Sequence, residues 1–270
     1  MLSYAFASQA DVPRDARNQT GTLAMDSQSL EFDRGLSGAR PVRAVLFDVD
    51  GTLIDTEEHT DLAIEAVMAK HGFPGFALPA TLTHGCTWES VAEEIRRRTQ
   101  LKVGTAELSA DLLAHWVAGT AGAKPIPGAP AAIRAAASSN LRIGVVSSSP
   151  RSVIDYFLDK LGVSEFVDAR ARIGAEAVRV TKPDPEGFLL AARALEAEPS
   201  ECLVFEDSNA GLLAARAARM RSVFITCRAT DVAGNIGLAT TAIEHYGVLP
   251  PHFWERLAAG DCDLTNRTSA

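Results

Sequence analysis

The chain alternates between short, wholly apolar runs and longer stretches in which apolar residues recur every three or four positions. The first run, Arg43-Ala44-Val45-Leu46-Phe47, ends in acidic residues, as expected of a parallel strand buried on both faces. Leu141 to Val146, a weaker run near Phe166-Val167, Cys202 to Phe205 and Val223 to Thr226 share this texture and predict four more strands. Helical stripes lie between them: Val153, Ile154, Phe157, Leu158 and Leu161 form one, and Phe188, Ala191, Ala192 and Leu195 form another. Ser149-Pro150 and Asp184-Pro185 read as helix starts, an N-cap followed by proline at the first helical position. Strand alternating with helix predicts an α/β fold built on a doubly wound parallel sheet.

The rhythm breaks between Asp55 and Lys124. Three helical stripes follow one another there (Leu62, Ala63, Ala66, Val67; Trp88, Val91, Ala92, Ile95; Leu112, Leu113, Trp116, Val117) with no convincing strand. A helical domain inserted after the first strand is expected, with Gly122-Ala123-Lys124-Pro125-Ile126-Pro127-Gly128 as its return hinge. The predicted layout is a polar extension at 1–40, a core at 41–55 and 125–250, a helical cap at 56–124 and a tail at 251–270. The extension reads either as a flexible segment or as residues ahead of a start at Met25. Phe253 and Trp254 in the tail read as packing residues.

Composition narrows the partners. The chain is 47% hydrophobic and 22% charged, ordinary values for a globular protein. A formal net charge of -8 argues against nucleic acid or an anionic membrane as partner, though not against an anionic substrate held in a local field. No apolar run reaches the length of a membrane span, and the first residues lack the pattern of a signal peptide. The four cysteines, Cys86, Cys202, Cys227 and Cys262, form no metal-binding cluster and read as reduced thiols of a cytoplasmic protein. A monomer or weak dimer acting on a small molecule is expected.

In open parallel sheets, ligands bind beyond the carboxyl ends of the strands. Three predicted strands end there in polar groups: Asp48-Val49-Asp50-Gly51-Thr52, Ser147-Ser148-Ser149 and Glu206-Asp207-Ser208. Lys182 lies in a loop ahead of a helix, Thr181-Lys182-Pro183-Asp184-Pro185. One fold rule thus gathers four carboxylates, a lysine and several serines. Such a cluster is costly unless a cation joins it, and Mg²⁺, which prefers hard oxygen ligands and phosphate, fits best. Asp48 can attack phosphorus and form an aspartyl-phosphate. Asp50 can protonate the leaving oxygen and then take a proton from water. Lys182 and the metal would neutralise the transferring phosphoryl group, and backbone N–H groups around Thr52 and at the helix start after Ser149 could hold its oxygens.

Ala44-Val45-Leu46-Phe47-Asp48-Val49-Asp50-Gly51-Thr52, Val145-Val146-Ser147-Ser148-Ser149, Thr181-Lys182-Pro183-Asp184-Pro185 and Cys202-Leu203-Val204-Phe205-Glu206-Asp207 resemble, in order, the four signature motifs of the haloacid dehalogenase superfamily. The chain is most similar to its β-phosphoglucomutase-like and sugar-phosphate phosphatase branch, over 41–230. The resemblance implies Asp48 as nucleophile, Asp50 as acid and base, and Ser147 and Lys182 as phosphoryl binders. It also implies Asp207 with Glu206, the Asp48 carboxylate and the Asp50 backbone carbonyl as metal ligands, and residues 56–124 as a cap closing over substrate.

Several positions keep two readings. Ser148 either binds phosphate or serves as a capping residue, as Ser149 does. Glu206 either ligates the metal or only orients what does. Thr83-His84-Gly85-Cys86-Thr87-Trp88 lies where related enzymes carry their substrate loop, so Gly85 and Trp88 are candidate substrate contacts, while Trp88 reads equally as a core aromatic. Thr56 either reaches the site or caps the first cap helix, and His59 reads as an exposed helix residue. The cap position where the mutases carry an arginine is Trp88 here, and Thr60 stands where they carry a histidine. Both departures favour a phosphatase over a mutase, and intact Asp48, Asp50, Lys182 and Asp207 argue against a non-catalytic binding protein, so a phosphatase of small phosphorylated sugars or polyols is expected.

Overall fold

The computed structural model describes residues 40–260. The expected extension, apart from Arg40, and the last ten residues of the expected tail lie outside the described residues. Six strands form one parallel sheet: β1 (Ala44–Phe47), β2 (Arg142–Val146), β3 (Arg172–Ile173), β4 (Cys202–Glu206), β5 (Arg221–Ile225) and β6 (Thr241–Ile243), in the order β3-β2-β1-β4-β5-β6. β1 lies at the centre, in register with β2 (Phe47 beside Val145) and with β4 (Phe47 beside Phe205). Its residues alternate between two cores. Val45 and Phe47 join Leu203 and Phe205 on one face, and Ala44 and Leu46 join Cys202 and Val204 on the other. Burial on both faces is why these segments are continuous apolar runs. A fully buried Phe47 or Phe205 stabilises the fold by about 2–3 kcal/mol relative to exposure.

Two strands differ from expectation. The third strand is not at Phe166-Val167, where Ser164–Phe166 is a 3₁₀ turn, but at Arg172–Ile173. β6 was not foreseen. Both are edge strands of two or three residues, too short to hold a recognisable apolar run. The tail is also more than a tail. A short helix at Phe253–Ala259 buries Phe253, Trp254 and Leu257 in the main core, with the Trp254 ring 5.7 Å from Phe205.

Between β1 and β2 lie α1 (Glu57–Lys70), α2 (Trp88–Thr99) and α3 (Thr105–Gly119), followed by α4 (Ala129–Ser138) on the sheet. The first three pack on one another through a cluster of their own that includes Ile64, Val67, Met68, Val91, Ile95, Leu108 and Leu112. The two chain crossings into this insertion run side by side: Asp55 N–H donates to Lys124 O (2.8 Å) and Ile126 N–H to Leu53 O (3.0 Å). An aromatic row then links insertion to sheet layer. Trp88 meets Trp116 edge-on at 5.8 Å, and Trp116 meets Phe157 at 5.7 Å. Phe157 belongs to α5 (Arg151–Lys160), whose Val153, Ile154 and Leu158 are buried beside it. α6 (Glu186–Ala194) and α7 (Asn209–Ala217) cover the opposite face. Among the described residues no helix is long and apolar enough to cross a membrane.

Candidate active site

The sheet register delivers the motifs to one place. Asp48 N–H donates to Phe205 O (3.0 Å) and Ser147 N–H to Ile173 O (3.0 Å), so β1 and β2 both end level with the ends of their neighbours. Asp48, Glu206 and Asp207 are each at most 5% exposed, and an oxygen from each lies within 4.8 Å of the others. Lys182 is driven into this group from the loop before α6. Its Nζ donates to Asp48 Oδ1 (2.5 Å), Glu206 Oε1 (2.6 Å) and Val146 O (3.0 Å), which accounts for all three ammonium protons. Burial opposes the Lys182 charge, but Asp48 and Glu206 outweigh it and hold its pKa above the ordinary lysine value. Burial also pushes the Asp48 and Asp207 carboxyls well above the usual carboxylate range; Lys182 pulls Asp48 back, and the neighbouring carboxylates push both further up. One lysine does not balance this many acids.

Gly51 forms the turn after β1 and is required there on two counts. Its φ is +74°, and a Cβ would sit 2.0 Å from Asp207 Oδ2. That close approach lets Asp207 lie against the turn, where the buried Thr52 hydroxyl donates to Asp207 Oδ1 (2.9 Å). The side chain of Thr52 therefore orients an acid, leaving only its backbone as the phosphate-binding candidate.

Asp50 is held by hydroxyls. Thr56 Oγ1 donates to its Oδ1 (3.1 Å), and Ser149 Oγ (3.1 Å) and Ser147 Oγ (3.4 Å) donate to its Oδ2. Burial raises its pKa to about 6 despite these bonds. Ser149 does not cap the next helix: α5 begins at Arg151 with Pro150 at the cap, so the expected capping role falls away. The helix after the lysine motif likewise starts one residue late, with Pro185 at the cap and Asp184 Oδ1 accepting from Glu186 N–H (2.9 Å).

Glu206 is completely buried and both its oxygens are taken. Oε2 accepts from the Asp207 and Ser208 N–H groups and from the Ser208 hydroxyl (2.9 Å each), and Oε1 accepts from Lys182. That saturation suits an orienting group better than a metal ligand. The remaining donors, the Asp48 and Asp207 carboxylates, are hard and anionic, a set that fits Mg²⁺.

The insertion reaches the crevice through one loop. Gly85, with φ +70°, lays its carbonyl on the Ser148 hydroxyl (2.7 Å), and a Cβ there would be 2.7 Å from Ser208 Oγ. Ser148 is thus engaged with the loop. His84 Nε2 lies against Glu57 Oε2. Trp88, by contrast, is half-buried in the aromatic row. Thr60 accepts from Trp116 Nε1 (3.1 Å), and Thr56 serves Asp50 rather than capping its helix by its side chain. Sequence reasoning passes over Glu57 and names His84 only as part of the loop Thr83-His84-Gly85-Cys86-Thr87-Trp88. An acid in the first turn of a helix is explained by the helix dipole alone, and so gave no separate signal.

A model of the haloacid dehalogenase-like hydrolases matches residues 42–219. The chain belongs to this family. Hexitol phosphatase B of Escherichia coli is 31% identical to this hydrolase over 195 residues, covering 70% of this chain and 86% of that one. A phosphoglycolate phosphatase of Yersinia pestis is 29% identical over 198 residues, covering 69% and 82%. In fold the hydrolase is similar to a β-phosphoglucomutase from Clostridium difficile (TM-score 0.67, 22% identity, covering 81% and 97%).

Proposed function

We propose that this hydrolase is a magnesium-dependent phosphatase of small phosphorylated sugars or polyols, working through an aspartyl-phosphate on Asp48. One observation carries the reading: Asp48, fixed by Lys182, ends the strand from which Asp50 follows, and Asp50 has a pKa of about 6 under three hydroxyl donors. A nucleophile and a carboxyl able to hold or release a proton near neutral pH are what a two-step transfer needs.

In the first step an Asp48 oxygen bonds to phosphorus as the ester P–O bond breaks, and Asp50 gives its proton to the leaving oxygen. In the second, water attacks the same phosphorus, Asp50 takes the water's proton and the Asp48–phosphorus bond breaks. The products are the free alcohol and phosphate, and both aspartates return to their starting state. Asp48 and Asp207, with the Asp50 backbone carbonyl, would hold Mg²⁺, which when bound supplies charge neutralisation at the phosphoryl oxygens. Lys182 keeps the nucleophile oriented and adds positive charge. The backbone around Thr52, and Ser147 once its hydroxyl turns from Asp50, would donate to phosphate oxygens. Glu206 holds Lys182 and the Asp207–Ser208 backbone in place.

Phosphate release from a panel of sugar, polyol and glycolate phosphates, with magnesium and after chelation, tests this. Release that needs magnesium is expected. Isomerisation of β-glucose 1-phosphate without release would make the protein a mutase, and silence on every compound would make it a binding protein.

A further inference from the structure

Asp50 takes its hydroxyl donors from two places. Ser147 and Ser149 follow β2, and Thr56 comes from the crossing into the insertion. Thr56 stands at the N-cap of α1, where a threonine hydroxyl ordinarily accepts from the second or third N–H of the helix. It makes no such bond here. Its backbone is helical rather than extended (φ -115°, ψ -1°), and its proton goes to Asp50. The helix gives up a cap so that the acid keeps a donor, and Thr56 has to be held in that pose from elsewhere.

The insertion supplies the hold. The Thr56 carbonyl accepts from the Thr60 N–H (3.2 Å) and from the Thr60 hydroxyl (3.4 Å). The Thr60 hydroxyl accepts in turn from Trp116 Nε1 (3.1 Å). An indole N–H only donates, so the Thr60 proton is turned toward Thr56, and a one-way row runs from Trp116 through Thr60 and Thr56 to Asp50. Its origin is fixed. Trp116 is buried, and its ring meets Phe157 of α5 edge-on at 5.7 Å. The end of α3 is tied to the same helix, where Lys160 Nζ donates to Thr120 O (2.9 Å) and Ala121 O (2.5 Å). Because α5 begins two residues after Ser149, both sources of Asp50 donors are referred to one indole.

We infer that Trp116 and Thr60 are positioning residues for Asp50, holding the Thr56 hydroxyl on the acid and away from the cap of α1; the inference rests on the phosphatase reading. Without the row, Thr56 relaxes to the extended cap pose and Asp50 loses its donor from the insertion side. Both proton transfers then slow, while Asp48, Asp207 and Lys182 keep their places.

The test is steady-state kinetics of the full chain at saturating Mg²⁺ on para-nitrophenyl phosphate and a hexitol monophosphate. Trp116→Phe keeps an aromatic ring in the row and removes the N–H, and Thr60→Val keeps the shape and removes the hydroxyl. Each should lower kcat about three- to tenfold on both substrates, with KM and the Mg²⁺ affinity read by calorimetry within about twofold of wild type. The double variant should be no slower than the slower single one, because the two residues act through one row. Thr60→Ser, which keeps the hydroxyl, should restore kcat. Wild-type kcat in both single variants would overturn the inference, and a fall in melting temperature with kcat unmoved would make the row structural only. Losses that multiply in the double variant, or a Thr60→Ser as slow as Thr60→Val, would overturn it too. Thr60 is only half-buried, so its variants still decide if Trp116→Phe does not fold. A wild-type chain silent on both substrates would overturn the phosphatase reading, and the inference with it.

Discussion

In the crevice, Lys182, Asp48 and Glu206 are less than a tenth exposed and bond to one another across 134 and 24 residues of chain. In the helical insertion, Glu57–His84 and Thr60–Trp116 apart, the polar ties are local or exposed: Arg97 and Arg98 reach Glu94 three and four residues back, and Lys70 meets His115 at the surface. The first region spends burial on polar groups that lower one another's cost only as a complete set. The second is held by apolar side chains at helical spacing and by the Trp88–Trp116–Phe157 row. The crevice accordingly fixes the geometry of its polar groups, and the insertion rests on an apolar core of its own. Among the described residues, Gly85, His84, Glu57 and Thr56 link the two.

Substitutions separate the two regions. Asp48→Asn is nearly isosteric and should fold normally while losing about 10⁴-fold or more in turnover and all acid-labile phosphoryl label. Residual activity within tenfold of wild type would remove Asp48 as nucleophile. Asp50→Asn should cost about a hundredfold to a thousandfold in both half-reactions, because one group serves both. Its pH dependence has a defined sign. With a pKa raised to about 6, Asp50 is protonated below that value and ionised above it. Aspartyl-phosphate formation should therefore fall as pH rises through about 6, its hydrolysis should rise, and the variant should show neither limb. Rapid-quench rates across pH check this, and a limb that survives in Asp50→Asn would assign the titration to another group. The smallest catalytic effect is expected at Trp88. Trp88→Ala should cost about 2 kcal/mol of stability by breaking the aromatic row, while changing rates on sugar phosphates and on a generic ester alike. A shift in preference between those substrates would return Trp88 to the substrate pocket and blur the division between the regions.

The contrast also explains what could be read in advance. The four motif segments were legible because each is a buried apolar strand, or a loop next to one, ending in polar residues. The helices of the insertion were legible from their stripes. Ser149 was not: a serine before a proline has a sufficient local explanation as a cap, and its bond to Asp50 spans 99 residues. The Thr52 hydroxyl gave no signal either, since nothing nearby in the chain points it at Asp207, 155 residues on.

By itself the sequence determined the parallel sheet, the helical insertion after β1 and the residue types of the crevice, because burial periodicity and turn chemistry act within a few residues. Tertiary structure alone decided that Glu206 is saturated by donors, that Ser147 and Ser149 serve Asp50, and that Glu57 and His84 meet over the Gly51 turn. Those contacts join chain segments brought together only by strand register and by packing of the insertion on the core, and a carboxylate or hydroxyl has no local pattern that names a partner so far away.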